Sequence, residues 1–164
     1  MLPQIICTVF GIGHARPAPG TWGALAALPM AWALHSFGGV WLLGLMIIVA
    51  FVAGLWGTAR MTTGAEDHDP SEIVIDEVVG QWIALLPVSL GATMRGVDIT
   101  ALWPGWLAAF VLFRLFDITK PWLVGQADRR NDALGVMLDD VIAGVFAALG
   151  TVVLAALAHG WVMQ

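Results

Sequence analysis

The chain has 164 residues, of which 59% are hydrophobic and 12% are charged, and its mean hydropathy is +0.85. A chain this short cannot bury so much apolar surface in its own core, which excludes an ordinary soluble domain. The net charge of -5 argues against a nucleic-acid partner, and the single cysteine excludes an internal disulfide. We therefore expect one all-α domain over residues 1–164, a compact bundle of membrane-spanning helices.

Five apolar stretches follow one another along the chain. No Asp, Glu, Lys or Arg occurs between Arg16 and Arg60, and this stretch is about twice as long as the ~20 residues that one crossing helix needs. The glycine pair in HSFGG, residues 35–39, favours a turn within it. The five predicted spans are 22–34, 40–59, 73–89, 102–116 and 140–161.

The basic residues orient this bundle. Five spans place the N-terminal segment and the loops around residues 60–72 and 117–139 on one side of the membrane. Six of the seven basic residues fall on that side, and only Arg95 falls on the other; the six are Arg16, Arg60, Arg114, Lys120, Arg129 and Arg130. The positive-inside rule predicts that this side is cytoplasmic. Every acidic residue except Asp98 lies on the same side or at the helix ends that face it.

The first polar segment is GIGHARPAPGTWG, residues 11–23. Thr21 is predicted to cap the helix that follows, and free N–H groups beside Gly20 would suit an anion. A plain loop that leads into a helix is the simpler interpretation, because the spacing matches neither a Walker loop nor a dinucleotide fingerprint.

The second is HDPSEIVIDEVVG, residues 68–80. We expect Asp69 to precede a helix that carries Asp76 and Glu77 in its first two turns, with Gly80 allowing another helix to approach closely. Compensation of the helix dipole would explain Glu72. It explains Asp76 poorly, because three apolar residues place that acid at membrane depth, where ionisable side chains are candidates for functional sites.

The third is FRLFDITKPW, residues 113–122. Arg114, Asp117 and Lys120 follow one another at spacings of three, which predicts a charged stripe of alternating sign on one helix face. Pro121 then ends the helix. A helix end closed by its own salt bridges, with long side chains that reach the membrane interface, accounts for this segment equally well.

The fourth is GVMLDDVIAG, residues 135–144. Asp139 and Asp140 are predicted to open the last span, with Gly144 one turn beyond Asp140. One acidic pair at a helix start would be explained by capping. Two such pairs on helices that share one membrane face are harder to explain in that way.

Converging carboxylates repel one another, so we expect a cation among them. Hard oxygen ligands without cysteine, and with His68 the only nearby histidine, favour Mg²⁺ over zinc. Arg114 and Lys120 supply the positive charge that a phosphate group needs. Together these features indicate phosphoryl chemistry on a lipid headgroup. A small transporter or channel subunit with a carboxylate-lined cation site is the alternative, although it would normally place acids near the bilayer midplane; a structural membrane protein would need no Mg²⁺.

The segments APGTWG, IVIDEVVGQWIA, FRLFDITKPW and GVMLDDVIAG, in this order, resemble the phosphatidylglycerophosphatase A family of bacterial inner-membrane lipid phosphatases. The resemblance covers nearly the whole chain, with Ala24 and Leu123 standing where Ser and Pro are expected. It implies Mg²⁺-dependent removal of the terminal phosphate of phosphatidylglycerophosphate, giving phosphatidylglycerol for phospholipid biosynthesis. Nothing in the sequence indicates an oligomeric state.

The resemblance also implies roles for the matching residues. The predicted catalytic set is Thr21, Asp76, Arg114, Asp117 and Lys120, and the predicted metal set is Asp69, Glu77, Asp139 and Asp140. Asp69 or Asp76 would complete the metal's ligands. Arg114, Lys120 and the helix start at Gly20 would stabilise phosphoryl charge, and Asp117 would orient the two cations or bind the metal. The nucleophile is either water or a carboxylate.

Overall fold

The computed structural model describes residues 1–64 and 70–162, without the side chains of residues 159–162. The described residues form six α-helices: α1 (Leu2–Cys7), α2 (Pro19–Met61), α3 (Ile75–Arg95), α4 (Trp103–Thr119), α5 (Leu123–Asp128) and α6 (Ala133–Val162). Two short 3₁₀ helices, Ile12–His14 and Ile99–Leu102, complete the described secondary structure. The predicted all-α fold is confirmed.

Four helical segments of the described residues are long and apolar enough to cross a membrane; they are Pro19–Met61, Ile75–Arg95, Ile99–Thr119 and Ala133–Ala158. The first has 43 residues, about twice the length that the ~30 Å hydrocarbon core requires. Its helical geometry is interrupted at Gly38 and Gly39, and Gly39 has a φ of +62°, which residues with a Cβ rarely adopt. α2 therefore consists of two arms, residues 19–37 and 40–61, joined at the predicted turn.

The two arms run in opposite directions along α3. The first arm begins with Gly23 against Val74, and its His35 is hydrogen-bonded to Ser89, far along α3, at 2.7 Å. In the second arm, Gly54 is back beside the first turn of α3. The chain thus reverses at the glycine pair. The five predicted crossings correspond to the two arms of α2 together with α3, α4 and α6.

α3 lies at the centre of the bundle and packs against α2, α4 and α6. Its fully buried side chains include Val78, Val79, Gln81 and Leu85. The surrounding helices expose large apolar side chains along their length, among them Trp32, Leu45, Val52, Leu107, Val111, Leu149 and Val153. An apolar surface of this extent suits contact with lipid rather than water.

Three helix starts differ by two residues or more from the predicted ones. α2 begins at Pro19 rather than residue 22. α3 begins at Ile75 rather than residue 73, because the preceding Val74 is not helical and its N–H donates to the Cys7 carbonyl at 2.8 Å. α6 begins at Ala133, seven residues before the predicted start at residue 140, because the Asp132 carboxylate accepts a hydrogen bond from the Gly135 N–H at 2.7 Å and caps the helix. Asp76 and Glu77 therefore lie in the first turn of α3, whereas the first turn of α6 contains no acid.

Candidate active site

A glycine pair brings α3 and α6 together at one end of the bundle. A Cβ atom at Gly144 would lie 3.1 Å from the Gly80 Cα, and one at Gly80 would lie 2.7 Å from the carbonyl oxygen of Asp140. Neither position has room for a side chain, so the predicted close approach at Gly80 is confirmed. The crossing places the first turn of α3 beside the second turn of α6, and the acids of both helices meet there.

Three carboxylates form the acidic cluster, which we define as Asp76, Glu77 and Asp140. One oxygen of each lies within 4.8 Å of the others. Asp76 is 7% exposed and Asp140 3%, and the Oε2 atom of Glu77 is buried without a hydrogen-bond partner among the described residues. Because α6 begins well before Asp140, helix capping cannot explain that acid. Ionised carboxylates this close repel one another, and a bound cation would offset that repulsion.

Arg114 lies beside the acidic cluster. Its Nη1 atom is 2.6 Å from Oδ2 of Asp117 and 3.9 Å from Oε1 of Glu77. The first contact is the predicted pair at a spacing of three on α4, and it holds the guanidinium against the pocket. The Nε and Nη1 atoms are buried and lack hydrogen-bond geometry to any partner in the described part of the chain. The guanidinium therefore keeps donors available for an anion.

Lys120 turns away from Asp117, contrary to the predicted stripe. α4 ends at Thr119, and Lys120 adopts the left-handed conformation, with φ 45° and ψ 53°. Its Nζ atom lies 3.0 Å from Oδ2 of Asp139 and also contacts Asp128 of α5. Burial lowers the pKa of Lys120, but the two carboxylates outweigh it and the pKa is raised overall. The ammonium is therefore charged at neutral pH.

The start of α2 also lines the site. The helix begins at Pro19 with Ala18 as its N-cap, so the prediction that Thr21 caps it was wrong. The first intrahelical bond runs from the Trp22 N–H to the Ala18 carbonyl, which leaves the N–H groups of Gly20 and Thr21 without an acceptor in the helix. A Cβ at Gly20 would lie 3.0 Å from the Glu77 Cδ and 3.3 Å from the Arg114 guanidinium. Glycine thus lets this backbone approach both charged groups.

These groups surround one cavity of about 320 Å³. Its lining residues are Ala18, Pro19, Gly20, Ser71, Ile73, Asp76, Glu77, Arg114, Asp117, Ile118, Lys120, Asp139 and Asp140. Seven acids and bases from three helices and a helix end therefore share one pocket at one end of the bundle. The position is unlike that of a transporter site near the bilayer midplane.

The structure brings together most of the predicted site residues and regroups two of them. Asp139 was placed among the metal ligands, but its carboxylate pairs with Lys120, while Asp76 joins the acidic cluster instead. Thr21 is not among the lining residues. Asp69 and His68 lie outside the described residues. Sequence reasoning missed Asp128, because only the path of α5 shows that it returns to Lys120.

The fold and the site define a helical membrane protein with a carboxylate- and arginine-lined pocket at one end. The sequence model of the family Phosphatidylglycerophosphatase A matches residues 5–155. The chain belongs to this family and is a phosphoric monoester hydrolase.

Three curated relatives cover most of the chain. A Bacteroides thetaiotaomicron protein, whose name provisionally assigns it phosphatidylinositol-3-phosphatase activity, is 37% identical over 88% of this chain and 88% of its own. Proteins named phosphatidylglycerophosphatase A from Haemophilus influenzae and Escherichia coli K12 are 34% and 33% identical, over 89% and 88% of this chain and 84% and 78% of their own. No solved structure matches the chain.

Proposed function

We propose that the protein hydrolyses the terminal phosphate monoester of phosphatidylglycerophosphate in a Mg²⁺-dependent reaction at the cytoplasmic face of a bacterial inner membrane. In this reaction the ester P–O bond breaks, a water oxygen becomes bonded to phosphorus, and the glycerol oxygen takes up a proton. The products are phosphatidylglycerol and inorganic phosphate. Family membership and the names of the two phosphatidylglycerophosphatase relatives support the substrate.

The observation that carries the proposal is the acidic cluster lying next to Arg114 in one pocket. A phosphate bound with a metal ion needs anionic ligands for the metal and cationic donors for the phosphoryl oxygens, side by side. The 3.9 Å separation between Glu77 Oε1 and Arg114 Nη1 provides that juxtaposition. Glu77 Oε2 and Arg114 Nε, which have no hydrogen-bond partner among the described residues, are an acceptor and a donor that such ligands would satisfy.

The donor set fits a hard divalent cation. Asp76, Glu77 and Asp140 offer only carboxylate oxygens, which suit Mg²⁺. Bound there, the ion would supply Lewis-acid polarisation of the phosphoryl group. Asp117 stays with Arg114 and orients it.

The remaining work belongs to the chain itself. The Arg114 guanidinium binds phosphoryl oxygens and stabilises the charge that develops on them. Lys120, held between Asp128 and Asp139, adds a second cation at the rim. The free N–H groups at the N-terminus of α2 are further donors for the same phosphate. The acyl chains of the substrate would stay in the bilayer, beside the exposed apolar surface of the bundle.

The basic residues support the proposed cytoplasmic orientation. Arg114 lies near the end of α4 and Lys120 follows it, while Arg129 and Arg130 follow α5. Positive charge concentrated at one end of a bundle favours the cytoplasmic side.

The test is phosphate release by purified protein in vesicles that contain one defined lipid. The lipids are phosphatidylglycerophosphate, phosphatidylinositol 3-phosphate and phosphatidic acid, each with Mg²⁺ or with EDTA. We expect phosphatidylglycerophosphate to react fastest and EDTA to abolish release. Faster release from phosphatidylinositol 3-phosphate would transfer the substrate to that lipid, as in the name of the Bacteroides relative. Release that survives EDTA would remove the metal from the mechanism.

A further inference from the structure

Gln81 is a buried amide that the proposed chemistry does not use. It lies on α3 one turn beyond Glu77 and is 0% exposed. Neither its Nε2 nor its Oε1 has a hydrogen-bond partner in the described part of the chain. An unpaired buried amide is costly, and each such group in a native fold calls for an explanation.

The other residues with unsatisfied buried side-chain atoms suggest the explanation. Among the described residues, the buried side-chain atoms without a hydrogen bond belong to Glu77, Arg114 and Gln81. The first two line the pocket. Other buried polar side chains on the spans are paired, as Ser89 is with His35 and Thr151 with a backbone carbonyl. Gln81 thus shares with these two pocket residues a buried polar group that lacks a hydrogen bond.

Helix geometry aims the amide at Glu77. Residues four apart on a helix have Cβ atoms about 5–6 Å apart, and long helical side chains lean towards the helix N-terminus. The Gln81 amide therefore points to the turn that carries Glu77. That turn also holds Glu77 Oε2, which has no hydrogen-bond partner among the described residues, while Oε1 lies 3.9 Å from Arg114 Nη1.

We propose that Gln81 is a positioning residue for Glu77. Its Nε2–H group donates to Glu77 Oε2 through one bridging water and fixes the carboxylate so that Oε1 stays between Arg114 and the cation site. A carboxylate held in one orientation binds a cation without first losing rotamer freedom, and partners of metal ligands typically contribute 10–100-fold to metal affinity. This inference rests on the proposed function in one respect, that the acidic cluster holds Mg²⁺.

The experiment measures Mg²⁺ binding without substrate. Purified wild type and Gln81→Met are heated in detergent at increasing Mg²⁺, and the concentration that gives half of the maximal rise in Tm is recorded. Methionine keeps the length of the side chain and removes its hydrogen bonds. Leu85→Met is the matched control, because Leu85 is buried one turn further along the same helix face. We expect a 10–100-fold higher Mg²⁺ requirement for Gln81→Met and no change for Leu85→Met.

A double variant separates positioning from packing. If Gln81 acts through Glu77, Gln81→Met should raise the Mg²⁺ requirement no further in a Glu77→Gln background. Should Gln81→Met fail to insert, Gln81→Ala removes the amide without an added thioether and is measured in the same way. An unchanged Mg²⁺ requirement in the single variant, or full additivity in the double variant, would overturn this inference alone. A wild type whose Tm does not respond to Mg²⁺ would overturn the metal in the proposed function as well.

Discussion

At the residue scale, the site depends on which carboxylate faces which cation. Type and spacing predicted Asp76, Glu77, Asp140, Arg114 and Lys120 as pocket residues, and all five line the cavity. The Arg114–Asp117 pair was predicted from its spacing, but the pairing of Lys120 with Asp139 and the grouping of Asp76 with Asp140 were not. They depend on the left-handed backbone at Lys120 and on a glycine crossing that sets the rotation of two helices.

The two adjacent aspartates of α6 should therefore behave differently. Asp140→Asn removes a charge from the acidic cluster, whereas Asp139→Asn removes a partner of Lys120. We expect the first to reduce kcat by at least ~10²-fold and to weaken Mg²⁺ binding, because a ligand is lost. The second should leave the Mg²⁺ requirement unchanged. Phosphate release titrated with Mg²⁺ distinguishes them, and an equal rise in Mg²⁺ requirement for both variants would return Asp139 to the metal ligands.

Lys120→Met tests the second cation. Methionine keeps the apolar contacts of the stem and removes the ammonium, so kcat/KM should fall by ~10²–10³-fold, the scale for one preorganised donor. Asp128→Asn is the control, because it releases Lys120 from α5 while keeping its charge. The measurement is kcat/KM for both variants with substrate in vesicles. A wild-type kcat/KM in Lys120→Met would reduce Lys120 to an interfacial anchor.

At the element scale, the apolar pattern predicted that helices exist but not where they begin. The predicted start of α6 was wrong by seven residues, because one side-chain hydrogen bond at Asp132, and not hydropathy, sets where this helix begins. The turn in α2 was found, because paired glycines in a long apolar stretch leave a clear signal. Gly80 was identified by a different signal, as a small residue one turn beyond Asp76 on an apolar helix.

Gly144→Val tests the crossing of α3 and α6. The new side chain would meet the Gly80 backbone at about 3.1 Å and force the helices apart, which should cost about 1–3 kcal/mol of unfolding free energy. Activity should fall too, because Asp140 moves away from Asp76. Gly44→Ala is the control, because nothing lies within 4 Å of a Cβ at that position. Thermal unfolding in detergent with a parallel activity assay is the measurement. Wild-type values for both would mean that the helices do not cross closely there.

At the scale of the whole molecule, most of the charge lies at one end of an apolar bundle, with Arg95 and Asp98 at the other end. Alternating spans and the asymmetry of basic residues predicted this from sequence alone. The direction of each arm of α2 needed the structure, because it depends on contacts such as Gly23 with Val74 and Gly54 with the start of α3.

Cysteine labelling tests the orientation. Cysteines introduced at the exposed positions Gly96 and Gln126 lie on opposite predicted sides. In sealed cells an impermeant thiol reagent should modify the first and spare the second. The unsubstituted protein serves as background, because Cys7 is buried. Modification at Gln126 from outside would invert the topology and place the pocket on the outer surface.

The reversal at Gly38 and Gly39 also bears on how the chain enters its membrane. The two arms of α2 meet without a hydrophilic loop, and no Asp, Glu, Lys or Arg occurs between Arg16 and Arg60. Nothing charged has to be carried across the bilayer for this first third of the protein. The helical hairpin can therefore partition into lipid as one unit, ahead of the span that carries Asp76 and Glu77. The costly acids of α3 then arrive beside helices already in place to shield them.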